Sequence, residues 1–427
     1  MMLVGVIAIP AGLSGQLAAP DREASAAAEA PWPMFGRTAR HEGRTPVVGV
    51  QSGTLAWTFE TSPTELGANS PIVGADGAVY VADAAGLTAL SATGSLLWRY
   101  QPGDRVKVPA LGADGRIYVG SRTGLAALEP DGTVAWTYQM GFTFGPVVAP
   151  DGTIYVIAVG LLRPSSIGGE AVYALKPDGT LRWRQPVPGA SGTPALGPAG
   201  TVYVTNRRTE CNGEDCFCLG RLLALDPTTG RSRRVFSNPV GCFTTPPVVG
   251  GEGSDETVFV ATEWGRSLYA ILPGDPDTGG ELKWKYDVDG FIASPPALGG
   301  AGTVYVPSGD GFVYAIRTDG TLAWRYETEG HGGPGEGSLG MTSSAVVGGD
   351  GTVYVASQDS YVYALTPDGT LKWRYQTKGE PGERGVIQTS PAISGDGSLY
   401  ISGWIGNPQP KKYLLYAFGP APGLAPQ

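Results

Sequence analysis

Histidine is almost missing from this chain: His41 and His331 are its only two in 427 residues. A Ser-His-Asp or Cys-His arrangement needs one of them beside a nucleophile, and no Gly-x-Ser-x-Gly elbow is present. The same scarcity argues against imidazole-based metal sites. Charge is sparse and leans negative, with 39 Asp and Glu against 30 Lys and Arg. Nucleic-acid binders carry a basic face or stripe; no dense Lys/Arg run occurs here, so nucleic acid is not an expected partner. Long apolar runs are missing beyond the first residues. Met1 to Leu17 is apolar, but it is too short to span a bilayer as a helix and contains Pro10. No transmembrane anchor is expected. With Ala24-Ser25-Ala26 behind it, the stretch reads as a secretory leader over residues 1–30, although no Lys or Arg precedes Arg22. Cysteine is limited to Cys211, Cys216, Cys218 and Cys242. In an exported protein these read as up to two disulfides. Their Cys-x4-Cys-x-Cys spacing does not match paired zinc ligands.

What the chain has in abundance is glycine (66) and proline (36), with 10 Trp and 19 Tyr. Gly and Pro penalise helix interiors, so the composition predicts many short strands joined by tight turns. A phrase recurs down the chain: a turn, a Trp, then usually an aromatic two residues on. It falls on Trp57, Trp98, Trp136, Trp183, Trp284, Trp324 and Trp373, with Arg234 at a degraded copy, at intervals of 41, 38, 47, 51, 50, 40 and 49 residues. Such spacing is the signature of a repeat architecture. Two further phrases share the period, DGTVYVAS and VYAL, and a proline-marked stretch such as SPIVG or TPALG opens each unit. Each unit therefore predicts four strands, A (xPAxG), B (GTVYV), C (VYAL) and D (LxWxY), bounded by Asp-Gly turns. The first clear strand is a D strand around Trp57, and the last unit supplies A, B and C and stops. The orphan D strand completes the last unit, which predicts an all-β, eight-bladed β-propeller of four-stranded antiparallel blades, closed into a ring with no free sheet edges between its ends. The expected organisation is a leader at 1–30, a lead-in segment at 31–50, the propeller at 51–420 and a tail at 421–427.

The phrase DGTVYVASQDSYVYALTPDGTLKWRY resembles the repeat of the quinoprotein (PQQ-like) β-propeller superfamily, and WPMFGRTARHEGRT is similar to the lead-in before such propellers. The resemblance covers roughly Pro31 to Pro420. It implies that the seven tryptophans dock between neighbouring blades. The superfamily contains PQQ-dependent dehydrogenases and non-enzymatic members such as the assembly scaffold BamB. The dehydrogenases hold PQQ and calcium in the central funnel, often beside a vicinal Cys-Cys disulfide. Here Cys216-Phe217-Cys218 is the nearest equivalent and is not vicinal. No cofactor is expected on the leading reading, and PQQ with calcium belongs to the alternative.

Topology places the D-to-A and B-to-C connections on one face, and long insertions gather there: Gly160 to Gly169, Asn206 to Gly220, Glu327 to Met341, Gln376 to Gln388 and Gly403 to Lys412. Loops on a rigid frame are where function usually sits. Trp264 and Trp404 fall outside the docking phrase, just after B strands, and are the candidate ligand or partner contacts. Arg105, Arg207 and Arg208 on the same face read as a solvated rim, with an anionic ligand as the alternative. Cys242 maps beside the Cys211–Cys218 loop and is expected to bond one of its three cysteines. Gly335 to Gly340 matches Gly-x-Gly-x-x-Gly without a strand–turn–helix context. Asp275 to Gly279, Asp310 and Asp359 read as turn residues rather than calcium ligands. The leading expectation is a secreted or periplasmic, monomeric, non-catalytic binding or scaffold module for a protein, peptide or glycan. The alternative is a PQQ- and calcium-dependent sugar or alcohol dehydrogenase.

Overall fold

A computed structural model describes residues 32–62, 69–159, 169–212, 215–238, 241–243, 245–251, 253–262, 266–274, 279–300, 302–329, 340–377, 385–406 and 411–419. It shows eight antiparallel sheets arranged in a ring, each with its strands in A-B-C-D order. Blade 1 is representative: Ile72–Val73, Val79–Ala82, Leu87–Leu90 and Leu96–Tyr100. Strands A, B and C are buried on both faces because Val, Ile, Tyr and Ala pack against the blades on either side. Strand D alternates half-buried and exposed residues, as an outermost strand should. Blade 8 closes the ring as the sequence predicts. Its strand D is Leu55–Thr61, which pairs with strand C, Lys412–Phe418, in a register running from Leu55↔Phe418 to Thr61↔Tyr413.

The tryptophans dock between blades by a repeated contact. The indole Nε1–H of Trp98 donates to the Pro130 carbonyl of the next blade at 2.9 Å, and Trp136, Trp183 and Trp324 donate to Pro177, Pro227 and Pro367 at 2.8 Å. Trp57 reaches Ala92, Trp284 reaches Thr318, and Trp373 reaches Val50. The ring lies flat on the following turn. At Gly132 the backbone has φ of +86°, and a Cβ there would stand 2.6 Å from the Trp98 ring. Only glycine meets both demands. Each indole also leans on the strand B aromatic of its own blade, as Trp98 does on Tyr80 at 5.9 Å between centroids.

Blade 4 departs from the pattern, and one assignment needs correction. Arg234 does not stand at the tryptophan position. In the other blades the D strand bulges between the Ala and the Leu of strand C, as at Ala174/Leu175. In blade 4 the bulge moves to Leu222/Leu223, which brings Arg233 opposite Ala224. Arg233 then acts as the stand-in, donating to the carbonyls of Pro273 at 3.2 Å and Gly274 at 3.0 Å. Arg234 is exposed. The residue after the tryptophan is commonly a cation that stacks on an aromatic ring: Arg325 lies over Phe312 at 4.7 Å and Arg374 over Tyr361 at 5.1 Å.

The expected insertion loop from Asn206 to Gly220 is instead regular structure. Strands B and C of blade 4 extend to Val202–Asn212 and Asp215–Leu225, paired without a break to Asn212↔Asp215. A two-residue connection leaves no room for a loop. Cys218 bonds Cys242, tying strand C of this ribbon to the connection that follows strand D. Cys211 and Cys216 stand opposite each other in the backbone register; their side chains lie outside the described residues. The leader, the tail and most of the insertions at 160–168, 330–339, 378–384 and 407–410 also lie outside them.

Truncating the docking indole removes packing and a hydrogen bond together. Trp98→Ala should lower unfolding free energy by about 2–3 kcal/mol for a half-buried indole, and Arg233→Ala by roughly 1 kcal/mol. Urea midpoints read both, and equal losses would mean that the arginine is a full substitute. Cys242→Ser should leave the melting temperature of the ring within a few degrees while speeding amide exchange in residues 207–220. Loss of the whole fold would show that the staple supports the ring itself.

Candidate functional site

The lead-in segment determines which end of the central channel is open. Strand A is the inner edge of every blade, and in six of them an N–H at or next to its end faces the channel. Residues 32–47 pass beneath the ring and satisfy these groups in turn. Leu111 donates to Pro33, Leu196 to Ala39, Val249 to Arg40, Leu298 to Glu42 and Val347 to Gly43, at 2.7–2.9 Å, while Trp32 and Val73 exchange a reciprocal pair. These residues lie at or next to the end of strand A in six of the eight blades, so the segment covers the face of the A-to-B turns and stoppers the channel there. Covering inner edges with a chain segment also removes unpaired backbone from the axis. The funnel therefore opens toward the D-to-A and B-to-C connections.

Its floor is a small axial cavity of about 10 Å³ lined by Trp32, Phe35, His41, Ser70, Ser344 and Ser390 among others, about the space one water needs. Hydroxyls link blades around it. The Ser390 amide donates to Ser70 Oγ and the Ser344 amide to Ser390 Oγ, both at 3.0 Å. The next position on the wall is Pro295, which has no N–H, and Ser344 Oγ is left without a partner. His41 is 2% exposed and takes φ of +60°, an uncommon backbone conformation for a side-chain-bearing residue. Its Nδ1 lies 3.0 Å from the Pro247 carbonyl and so carries the proton, while Nε2 has no partner. Burial pushes its pKa down to about 4, against a smaller upward pull from the Pro247 bond. The imidazole is neutral at physiological pH.

The proposed contact residues share the open face but not a sector of it. Arg105 lies half-buried on the connection into blade 2, where Lys107 stacks over Phe142 at 5.2 Å. Burial, and then the charge of Arg105, lower the Lys107 pKa. Arg207 and Arg208 are exposed on strand B of blade 4. Trp404 is on strand B of blade 8, across the ring from them, half-buried, with Lys411 Nζ 3.9 Å over its indole. Trp264, His331 and Asp275 to Thr278 lie outside the described residues. Asp310 and Asp359 serve as turn residues: each accepts from a backbone amide and from a tyrosine hydroxyl, Tyr314 at 2.7 Å and Tyr363 at 2.6 Å. The sequence reading missed His41 and the hydroxyl girdle. The recurrent Ser/Thr-Pro before strand A was the available signal.

Calcium takes six to eight oxygens, several of them carboxylates or amides. Around the channel floor the described residues present hydroxyls, proline rings and one neutral imidazole. Among the described residues no three His, Cys, Asp or Glu side chains converge. The described lining of the floor includes no carboxylate or side-chain amide.

The model of a PQQ-like repeat family described as outer membrane protein assembly factor BamB matches residues 42–141, 121–235 and 220–407. The chain belongs to this family of propellers. No curated protein matches it in sequence. Among solved structures it is similar to the quinohemoprotein alcohol dehydrogenase of Comamonas testosteroni, with a TM-score of 0.71 and 15% identity over 94% of this chain and 82% of that one. A europium-containing methanol dehydrogenase aligns with a TM-score of 0.59 and 14% identity, covering 88% and 90%. BamB from Moraxella catarrhalis aligns at 0.57 and 18%, covering 86% of this chain and 99% of that one. At these identities the likeness is one of fold. No helix among the described residues is long and apolar enough to cross a membrane.

In the unfolded chain His41 binds a proton near pH 6.5, whereas in the folded protein it stays neutral down to about 4. Its contribution to stability is therefore complete above 6.5 and is lost as pH falls toward 4, at no more than about 1.4 kcal/mol per pH unit. His41→Gln should flatten melting temperature against pH across that window. A slope identical to that of the parent protein would refute the assignment.

Proposed function

We propose that this propeller is an exported, non-catalytic binding or scaffold module of the cell envelope that takes a protein, peptide or glycan across the face bearing the D-to-A and B-to-C connections. One observation carries the reading: the channel is stoppered on one face, while a disulfide-stapled ribbon rises from the other. A rigid frame with asymmetric faces suits recognition on the elaborated side. The disulfide suits an oxidising compartment such as the periplasm or the exterior. The family description, which names an outer membrane assembly factor, supports the same placement. Trp404 under Lys411 and the arginines at 105, 207 and 208 are the side chains offered to a partner.

The second reading is a PQQ- and calcium-dependent sugar or alcohol dehydrogenase. It draws on the two dehydrogenase likenesses, with PQQ and calcium placed in the central funnel.

Two measurements separate the readings. Photo-crosslinking residues placed at Arg207 and Lys412, on the proposed face, should give envelope-protein or glycan adducts in cells; one at the exposed Arg317, on the opposite face, should not. Adducts from Arg317 alone would put the partner on the wrong side. Purified protein given PQQ, calcium and an artificial electron acceptor should not oxidise sugars or alcohols, and turnover there would replace the scaffold reading with the dehydrogenase.

A further inference from the structure

Strands B and C of blade 4 run for 11 residues each, against four to seven for strands B and C of the other blades. Their two neighbours in the sheet end early. Strand A, Ala190–Leu196, reaches only to Asn206 of strand B, and the last bond on that side runs from the Arg207 amide to the Gly189 carbonyl at 3.0 Å. Strand D reaches Gly220. Beyond its last bond to the strand A side, strand B runs on for about five residues, roughly 17 Å at the rise of a β-strand.

The two edges of the ribbon differ. On the strand C side, Gly241 bridges Cys218 and Gly220 through backbone bonds of 3.2 and 3.0 Å, and the Cys218–Cys242 disulfide fixes that segment in place. On the strand B side, among the described residues, nothing follows Gly189. Backbone groups alternate sides along a strand. Arg207 points its amide toward strand A, so Thr209 and Cys211 point theirs to the same side. The connection gives the same parity independently, because Asn212↔Asp215 closes a two-residue turn and must be a hydrogen-bonded pair facing strand C. The ribbon thus carries an open edge on the side of strand A, the channel side, with the N–H and C=O groups of Thr209 and Cys211 available. The exposed Arg207 and Arg208 flank its base.

We infer that this edge is a docking strand for an extended peptide, which adds to strand B by main-chain hydrogen bonding and places its acidic end at Arg207. Open sheet edges recruit strands in this way, with affinity from the main chain and preference from the flanking side chains. The occupant is an acidic peptide segment of a partner, because the exposed Arg207 stands at the base of this edge, while on the strand C side the chain's own stapled segment already pairs at Cys218 and Gly220. This inference rests on the binding-module reading and narrows it to one element.

The probe is a seven-residue peptide of alternating valine and threonine with two glutamates at one end, tested on the full-length protein by fluorescence anisotropy and amide hydrogen exchange. Binding should slow exchange at Thr209 and Cys211. N-methylation of the probe on its pairing side should weaken it at least tenfold, and so should exchanging its glutamates for lysines. Thr209→Pro should also abolish binding. It removes an N–H that the hairpin does not use, and proline is tolerated at such edge positions, so its melting curve should match the parent. The methylated probe keeps the test valid even if that variant unfolds. Three results overturn the inference: no binding, binding indifferent to methylation, or a concentration-dependent dimer that Thr209→Pro dissolves, which would make the occupant a second copy. If the probe fails while crosslinks at Arg207 and Lys412 persist, this edge is refuted and the wider binding face stands.

Discussion

The pairing of residues 55–61 with residues 413–418 is the constraint on which every other feature depends. It makes the first strand of the ring the last strand of the last sheet, so no blade is terminal. The docking contact then has a partner at all eight interfaces, including Trp57 onto Ala92 and Trp373 onto Val50. An open arc would leave one indole and one turn without their counterparts. Closure also fixes the route of the lead-in. A chain that must arrive at the outer strand of blade 8 can first run beneath the ring, where the inner edges of strand A await donors and acceptors. The stopper follows from how the ring is closed.

The fold was legible because it is written eight times. A single GTVYV could be any strand, but eight copies in phase with a tryptophan fix strand order, face and register together. Arg233 marks the limit of that legibility. Its blade keeps the four-strand pattern but moves the bulge by two pairs along strand C. Counting residues from the repeat phrase then lands on Arg234, because a bulge changes the register without changing the composition. The ribbon escaped for a related reason. Asn206 to Gly220 carries Gly, Asn, Asp and three cysteines and lacks apolar alternation, so it reads as a loop. Its order comes from its neighbours: eleven consecutive pairs continue a register begun in the buried part of the sheet.

The channel floor was illegible for a different reason. His41 belongs to no repeat, and its burial depends on where a non-repeating segment is laid. What sequence offered was the run of Ser or Thr before proline at the start of strand A. The structure shows what those residues do: a hydroxyl at this position accepts the amide of the adjoining blade, as Ser70 does from Ser390 and Ser390 does from Ser344. Where the neighbour is proline the acceptor is orphaned, which is why Ser344 and the imidazole share a water-sized space.

Blade 4 gathers the departures from regularity. It replaces the docking tryptophan with arginine, lengthens two strands to 11 residues and holds one of them with the Cys218–Cys242 bond. These features are mechanically related. Arg233 keeps the polar half of the docking contact, two bonds to carbonyls, but gives up the ring packed on a glycine turn, so this interface loses apolar contact on the stoppered side of the ring. The ribbon and disulfide add covalent and hydrogen-bonded structure to the same blade on the opposite side. Seven interfaces repeat one solution because they have one task, to hold the ring. The eighth relaxes that solution in the blade that also raises a recognition element, and the asymmetry of the molecule is concentrated there rather than spread around the rim.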